Sequence, residues 1–163
     1  MSYKFSEKSL SRLEGCDFTL QRLFNEVIKK IDCSIICGQR GEEEQTKAFA
    51  ENRSQVQYPF SKHNSVPSLA VDVYPYPYDW EAGNWTVKKL VKEMGTFKVS
   101  SPAGISMIDK VLSNLEKFYY FGGIVRGVAW EMGLNVRWGG DWDSDNDLID
   151  QNFNDLPHWE VIL

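Results

Sequence analysis

The chain has 163 residues, 42% hydrophobic and 25% charged, the composition of one folded domain with a sizeable core and not of a disordered segment. Its net charge of −5 supplies no basic field for nucleic acid or anionic lipid. Six Trp and seven Tyr exceed what core packing usually asks for, so some are expected at a binding surface.

Residues 1–15 contain no apolar h-region, and no stretch approaches the roughly 20 apolar residues of a membrane span. The expected place of synthesis is a reducing cytoplasm. Leu10, Leu13, Leu20, Leu23, Phe24 and Val27 recur at helical spacing, which predicts one or two helices over 8–30. Residues 31–37 read as a strand stopping at Gly38, with Cys33 and Cys37 on one face as small buried apolar groups and not as redox or metal groups. Residues 42–52 read as a helix with Glu43 four positions before Lys47. Residues 53–68, with two prolines and several Asn and Ser, form a long loop.

Residues 69–74 alternate as a strand: Val71 and Val73 point one way, and Ala70, Asp72 and Tyr74 the other. Pro75 and Pro77 end it. Helices are expected over 85–94, 105–115 and 119–132, the last ended by Gly133 as a left-handed cap. Residues 135–138 and 158–163 read as strands. The alternating Asp residues of 141–147 echo a calcium loop. Asn146 and Asn152, however, stand where such a loop has its Gly and its Glu, so a solvated acidic loop is expected. Strands separated by helices indicate a single α+β domain, residues 1–163.

Asp72 poses the functional question, because a carboxylate in an apolar strand is costly unless something charged pairs with it. The chain has only two histidines, His63 and His158, each beside acidic residues. His63, Asp72 and His158 make a two-imidazole, one-carboxylate set that leaves a fourth zinc position open. Spacing alone does not establish this, since two histidines far apart in sequence are more often unrelated surface or core residues. Glu160 shares the strand face of His158, free to hydrogen-bond its imidazole or to stand in solvent. Asp155 lies an odd number of residues before His158, so a bend near Leu156-Pro157 is needed to bring it to the same side.

The words around these residues are more specific. Ser61-Lys62-His63, Ala70-Val71-Asp72, Arg137-Trp138-Gly139-Gly140-Asp141-Trp142 and Asp155-Leu156-Pro157-His158-Trp159-Glu160 occur in that order, with Gly38-Gln39-Arg40 and Gln45 upstream. The set resembles the zinc peptidases of the D-alanyl-D-alanine carboxypeptidase (VanY-like) superfamily, and within it the phage endolysins of the L-alanyl-D-glutamate peptidase type. The gap from His63 to Asp72 is two residues longer than in the family's commonest S-x-H-x-x-G-x-A-x-D form and lacks its Gly.

The resemblance implies a small antiparallel sheet with flanking helices, as in hedgehog and D,D-peptidase domains. It implies zinc held by His63, Asp72 and His158, with Asp155 as general base and Arg40 as the polarising cation. Ser61, Gln45 and Trp138 are expected to contact substrate. The implied activity is a zinc endopeptidase cutting the peptidoglycan stem peptide at the L-Ala–D-Glu bond. The alternatives are a D-Ala-D-Ala carboxypeptidase and a non-catalytic zinc- or wall-peptide-binding module. The expected enzyme is a monomer made without a signal peptide in the bacterial cytoplasm and acting on the wall after release. No wall-binding domain is expected beyond Leu163, and neither nucleic acid nor membrane is an expected partner.

Overall fold

The computed structural model of the chain describes residues 2–80, 102–148 and 150–163. It opens with α1 (Glu7–Glu14) and α2 (Phe18–Val27). Both start on a polar cap: Ser6 accepts from the Ser9 amide and Asp17 from the Thr19 amide, satisfying donors that a first helical turn leaves free. Between them the chain is clipped to the loop before Ala70, Asp17 N–H donating to Ser68 O at 2.7 Å and Ser68 N–H to Gly15 O at 2.9 Å.

Then follow β1 (Cys33–Cys37), α3 (Glu42–Ala50), β2 (Ala70–Pro75), α4 (Pro102–Glu131), β3 (Val136–Trp138) and β4 (His158–Val161). Where periodicity predicts two helices, α4 is uninterrupted. Val111, Phe118, Phe121, Val125 and Val128 are all buried, at spacings of seven, three, four and three, and nothing in Glu116-Lys117 breaks a helix. Gly133 follows in the left-handed region, with φ of +63°, as expected of a cap. The helix expected over 85–94 lies outside the described residues. Among the described residues no helix is long and apolar enough to cross a membrane.

The four strands pair antiparallel in the order β1-β2-β4-β3, which with the helices makes the expected α+β architecture. One sheet face is apolar. Ile35, Val71, Val73 and Trp159 are buried there in one core with Leu20, Leu23 and Phe24 of α2 and Phe121 and Val125 of α4. Trp159 meets Phe24 edge-on, ring centroids 6.2 Å apart, and stacks on Trp138 at 5.7 Å. Gly122 of α4 makes room for that second indole, since a Cβ there would lie 2.8 Å from the Trp138 ring. Each large apolar side chain removed from water contributes roughly 1.5–3 kcal/mol, so this face holds the sheet in place.

The other face is polar, and the register composes it. Asp72 pairs directly with His158, and Glu160 lies opposite both Ala70 and Arg137. Directly paired residues of an antiparallel ladder project from the same face, so Asp72, His158, Glu160 and Arg137 gather on one side of a sheet whose back is packed core.

Candidate active site

His63 comes to this face from the loop over 53–68, which contains an element the sequence did not announce: a 3₁₀ turn, Lys62–Asn64. Ser61 caps it. Its hydroxyl accepts from the His63 amide at 3.3 Å, and Asn64 Oδ1 accepts from the Ser61 amide at 3.1 Å. The turn is then locked to the segment after β1, with Arg40 N–H donating to His63 O at 2.8 Å and Asn64 Nδ2 to Arg40 O at 2.9 Å. Ser61, expected at the substrate, presents His63 through the bond that its hydroxyl oxygen accepts.

Three donor atoms converge. His63 Nε2 and His158 Nδ1 each lie 3.3 Å from Asp72 Oδ1, and 3.3 Å from each other. The remaining nitrogens are already engaged. His63 Nδ1 is 2.7 Å from Gly38 O, and His158 Nε2 is 3.1 Å from Glu160 Oε2. Both partners only accept, so the protons of the neutral rings sit on those outer nitrogens and the inner lone pairs face Asp72.

Such a triangle demands a cation. Without a metal the imidazoles fill that role as protonated groups. Burial alone would lower the His63 pKa, but its hydrogen bonds to Asp72 and Cys37 raise it to about 10. For His158 the contest between burial and its bonds to Asp72 and Glu160 ends at about 8. Asp72, which burial would raise, is held well below the usual carboxylate range by the two imidazoles. The donor set fits zinc, because donors on a tetrahedron with metal bonds of about 2.0 Å stand about 3.3 Å apart.

A second set overlaps it: Cys37, His63 and Asp72 each offer one ligand atom within 4.8 Å of the others. The Cys37 sulfur, however, lies 3.9 Å from His63 Nδ1, the edge of the ring that donates to Gly38. It faces the protonated side of the imidazole, so His158 completes the triangle better than Cys37 does. Regular alternation had placed Cys37 with Cys33 in the core. Instead the pairing shifts between Ile35 and Cys37, so that Cys37 stands opposite Asp72.

Arg40 closes the cluster on the β1 side. Its guanidinium donates to Gln45 Oε1 at 3.0 Å and to Cys37 Sγ at 3.4 Å, and lies 3.5 Å from Asp72 Oδ2. Gln45 is fully buried and also donates to Ser54 Oγ at 2.9 Å. It holds Arg40 and has no surface left for substrate. Asp155 closes the other side. His158 N–H donates to Asp155 O at 2.9 Å, so Asp155 through His158 form the bend that the odd spacing required. Burial, and then the charge of Asp72, raise the Asp155 pKa, while His158, His63 and Arg40 pull it down.

Set against known proteins, residues 1–108 match the family model of the phage L-alanyl-D-glutamate peptidase. The chain belongs to that family. It is therefore a peptidase of bacterial cell-wall peptides, and the alternative of a non-catalytic module falls away. The matched stretch of this peptidase carries Arg40, Gln45, His63 and Asp72; beyond it lie His158, which reaches the cluster on β4, and Asp155, on the turn before that strand. Its fold is similar to the crystal structure of Serratia marcescens L-Ala D-Glu endopeptidase ChiX, with a TM-score of 0.60 over 99% of this chain and 91% of that one, at 20% identity. No curated protein matches it.

Two further expectations change in the folded peptidase. Trp138, expected at substrate, is 3% exposed, stacked in the core with its indole N–H on Leu156 O at 2.8 Å. Alternation in β3 turns Arg137 toward the site and Trp138 away from it. Trp142, half-buried, is the indole beside the cluster, its ring 5.5 Å from that of His158. The acidic loop is not uniformly solvated either. Asp141 is buried and paired with Arg126 at 3.0 Å, while Asp143 and Asp145 are exposed with a ligand oxygen each within 4.8 Å of one of Asp141.

Proposed function

We propose that this peptidase is a zinc-dependent endopeptidase that hydrolyses the L-Ala–D-Glu bond of the peptidoglycan stem, with the ion held by His63 Nε2, His158 Nδ1 and Asp72 Oδ1. The observation that supports it is the 3.3 Å triangle, whose two imidazoles already have their outer nitrogens committed. When bound, zinc supplies Lewis acidity, which activates water and polarises a carbonyl near neutral pH.

The chain's own groups supply the rest. The Asp155 carboxylate takes the proton of the attacking water and hands it to the leaving amine, and burial gives it a raised pKa suited to both steps. The Arg40 guanidinium, fixed by Gln45 and Asp72, stabilises the negative charge that develops on the scissile oxygen. The enzyme acts on the wall after its release from the cell that makes it.

Purified protein incubated with muropeptides, with products read by mass spectrometry, tests the reaction. Release of the stem from L-Ala is expected. Free D-Ala instead would identify a carboxypeptidase. Metal analysis of protein prepared without added metal should find one zinc per chain, lost in His158→Ala.

A further inference from the structure

We infer that Arg137 is the positioning residue of this site, orienting His158 through two arms, Glu160 and Trp142. The inference rests on the ligand role proposed for His158. In the first arm, Arg137 Nε donates to Glu160 Oε1 at 3.1 Å and Nη2 donates to the same oxygen, while the other oxygen of Glu160 receives His158 Nε2 at 3.1 Å. In the second arm the guanidinium carbon lies 5.4 Å from the centroid of the Trp142 ring, and that ring lies 5.5 Å from the ring of His158. Arg137 Nη1 also donates to Trp142 O at 3.4 Å.

The geometry separates this from an ordinary surface ion pair, which contributes little. The Glu160 side chain is only 6% exposed, so removing its cation leaves a buried carboxylate with one of its three hydrogen bonds. Both groups that bracket the imidazole, one at its edge and one beside its face, are gripped by one side chain. Both arms end at His158. What they determine is which nitrogen of His158 faces Asp72. A planar fork can bind Glu160 and lie over an indole at once, and an ammonium cannot do both.

The test compares Arg137→Met, which keeps the apolar stem, with Arg137→Lys. In metal-free protein, at a pH where both rings are neutral, imidazole nitrogen NMR should show the Nε2–H tautomer for wild-type His158 and a mixture in Arg137→Met. Competition with a chromophoric chelator should show zinc bound roughly 10- to 100-fold more weakly by Arg137→Met. Arg137→Lys should recover part of that loss, because it restores the charge on Glu160 but not the second arm.

A lower melting temperature with unchanged tautomer and zinc affinity would overturn the inference and leave Arg137 a structural ion pair. If Arg137→Met does not fold, Glu160→Gln, which keeps the shape of the first arm, should shift the same two readouts, and its failure to do so counts equally against the inference. If wild type and His158→Ala bind zinc alike, the ligand assignment fails, while the metal-free tautomer still decides the role of Arg137.

Discussion

Replacing Gly139 by alanine tests whether the placement of Asp155, beyond its presence, sets turnover. A Cβ at Gly139 would lie 2.3 Å from the Asp155 carbonyl oxygen and 3.1 Å from its carbonyl carbon. Ordinary contact starts at 3.4 Å, so the oxygen has to retreat by 3.4 − 2.3 = 1.1 Å. The obstacle is backbone, held by Asp155 N–H on Gly139 O at 2.7 Å and His158 N–H on Asp155 O at 2.9 Å, and no side-chain rotation relieves it. Among the described glycines only Gly133 has a positive φ, so the effect at Gly139 is steric and not conformational. A shift of about 1 Å in a reacting group lowers turnover on the order of 100-fold. Overpacking of this kind costs about 1–3 kcal/mol of stability. The three atoms nearest the new methyl all belong to Asp155 and none to a proposed ligand, so zinc should stay. The assay measures kcat for stem release and zinc content on the same preparation. A folded, zinc-loaded Gly139→Ala with wild-type kcat would refute the reasoning; loss of zinc would mean that the strain passed into His158.

Asp155→Asn should keep zinc and lose roughly 100- to 10,000-fold in kcat, since the proton carrier is gone while the donor triangle remains. His158→Ala should lose metal and activity together, and full zinc occupancy in that variant would refute the ligand assignment. Chelation should lower the melting temperature, because an ion that binds only the folded chain stabilises it; an unchanged value in EDTA would mean that no ion was held. In the native metal-free protein a thiol reagent should modify Cys37 first. Cys16 and Cys33 are buried, and burial with nearby negative groups pushes both thiols up to about 12, whereas Cys37 is partly exposed with a lowered pKa. Three thiols reacting at one rate would contradict this.

How far the sequence could be read depended on whether a local rule stayed valid. Alternation in β2 was regular, so Val71 and Val73 went to the core and Asp72 to the other face as expected. The same parity failed for Cys37, because the register shifts after Ile35 and one displaced residue sends every later side chain to the opposite face. Gly38 was the available signal. Its backbone comes so close to α1 that a Cβ would sit 2.2 Å from Arg12 O, and the chain bends there to offer its carbonyl to His63. Motif order brought His63, Asp72 and His158 forward but not their supports. In the folded chain Ser61 bonds the His63 amide and Gln45 the Arg40 guanidinium, supports that a linear pattern does not distinguish from contacts to substrate. For Trp138 and Arg137 the strand was expected and the assignment of faces was missing: Trp138 pairs with Trp159, whose burial decides which side is core.

The site and the core are two faces of one register. Asp72 stands opposite His158 because Val71 stands opposite Trp159, and Trp159 is held by Phe24, Trp138 and Val71 in a packed interior. Sliding β4 by one residue along β2 would turn His158 and Glu160 into the apolar core and turn Trp159 out of it, exchanging the polar and apolar faces at once. The apolar side therefore determines which carboxylate meets which imidazole. His63 and Asp155 depend less on the register, for they arrive on turns fixed by Ser61, Asn64 and the Gly139 contact. Core substitutions in β4 should accordingly disturb metal affinity through the Asp72–His158 pair, whereas changes at Gly139 should disturb turnover through Asp155.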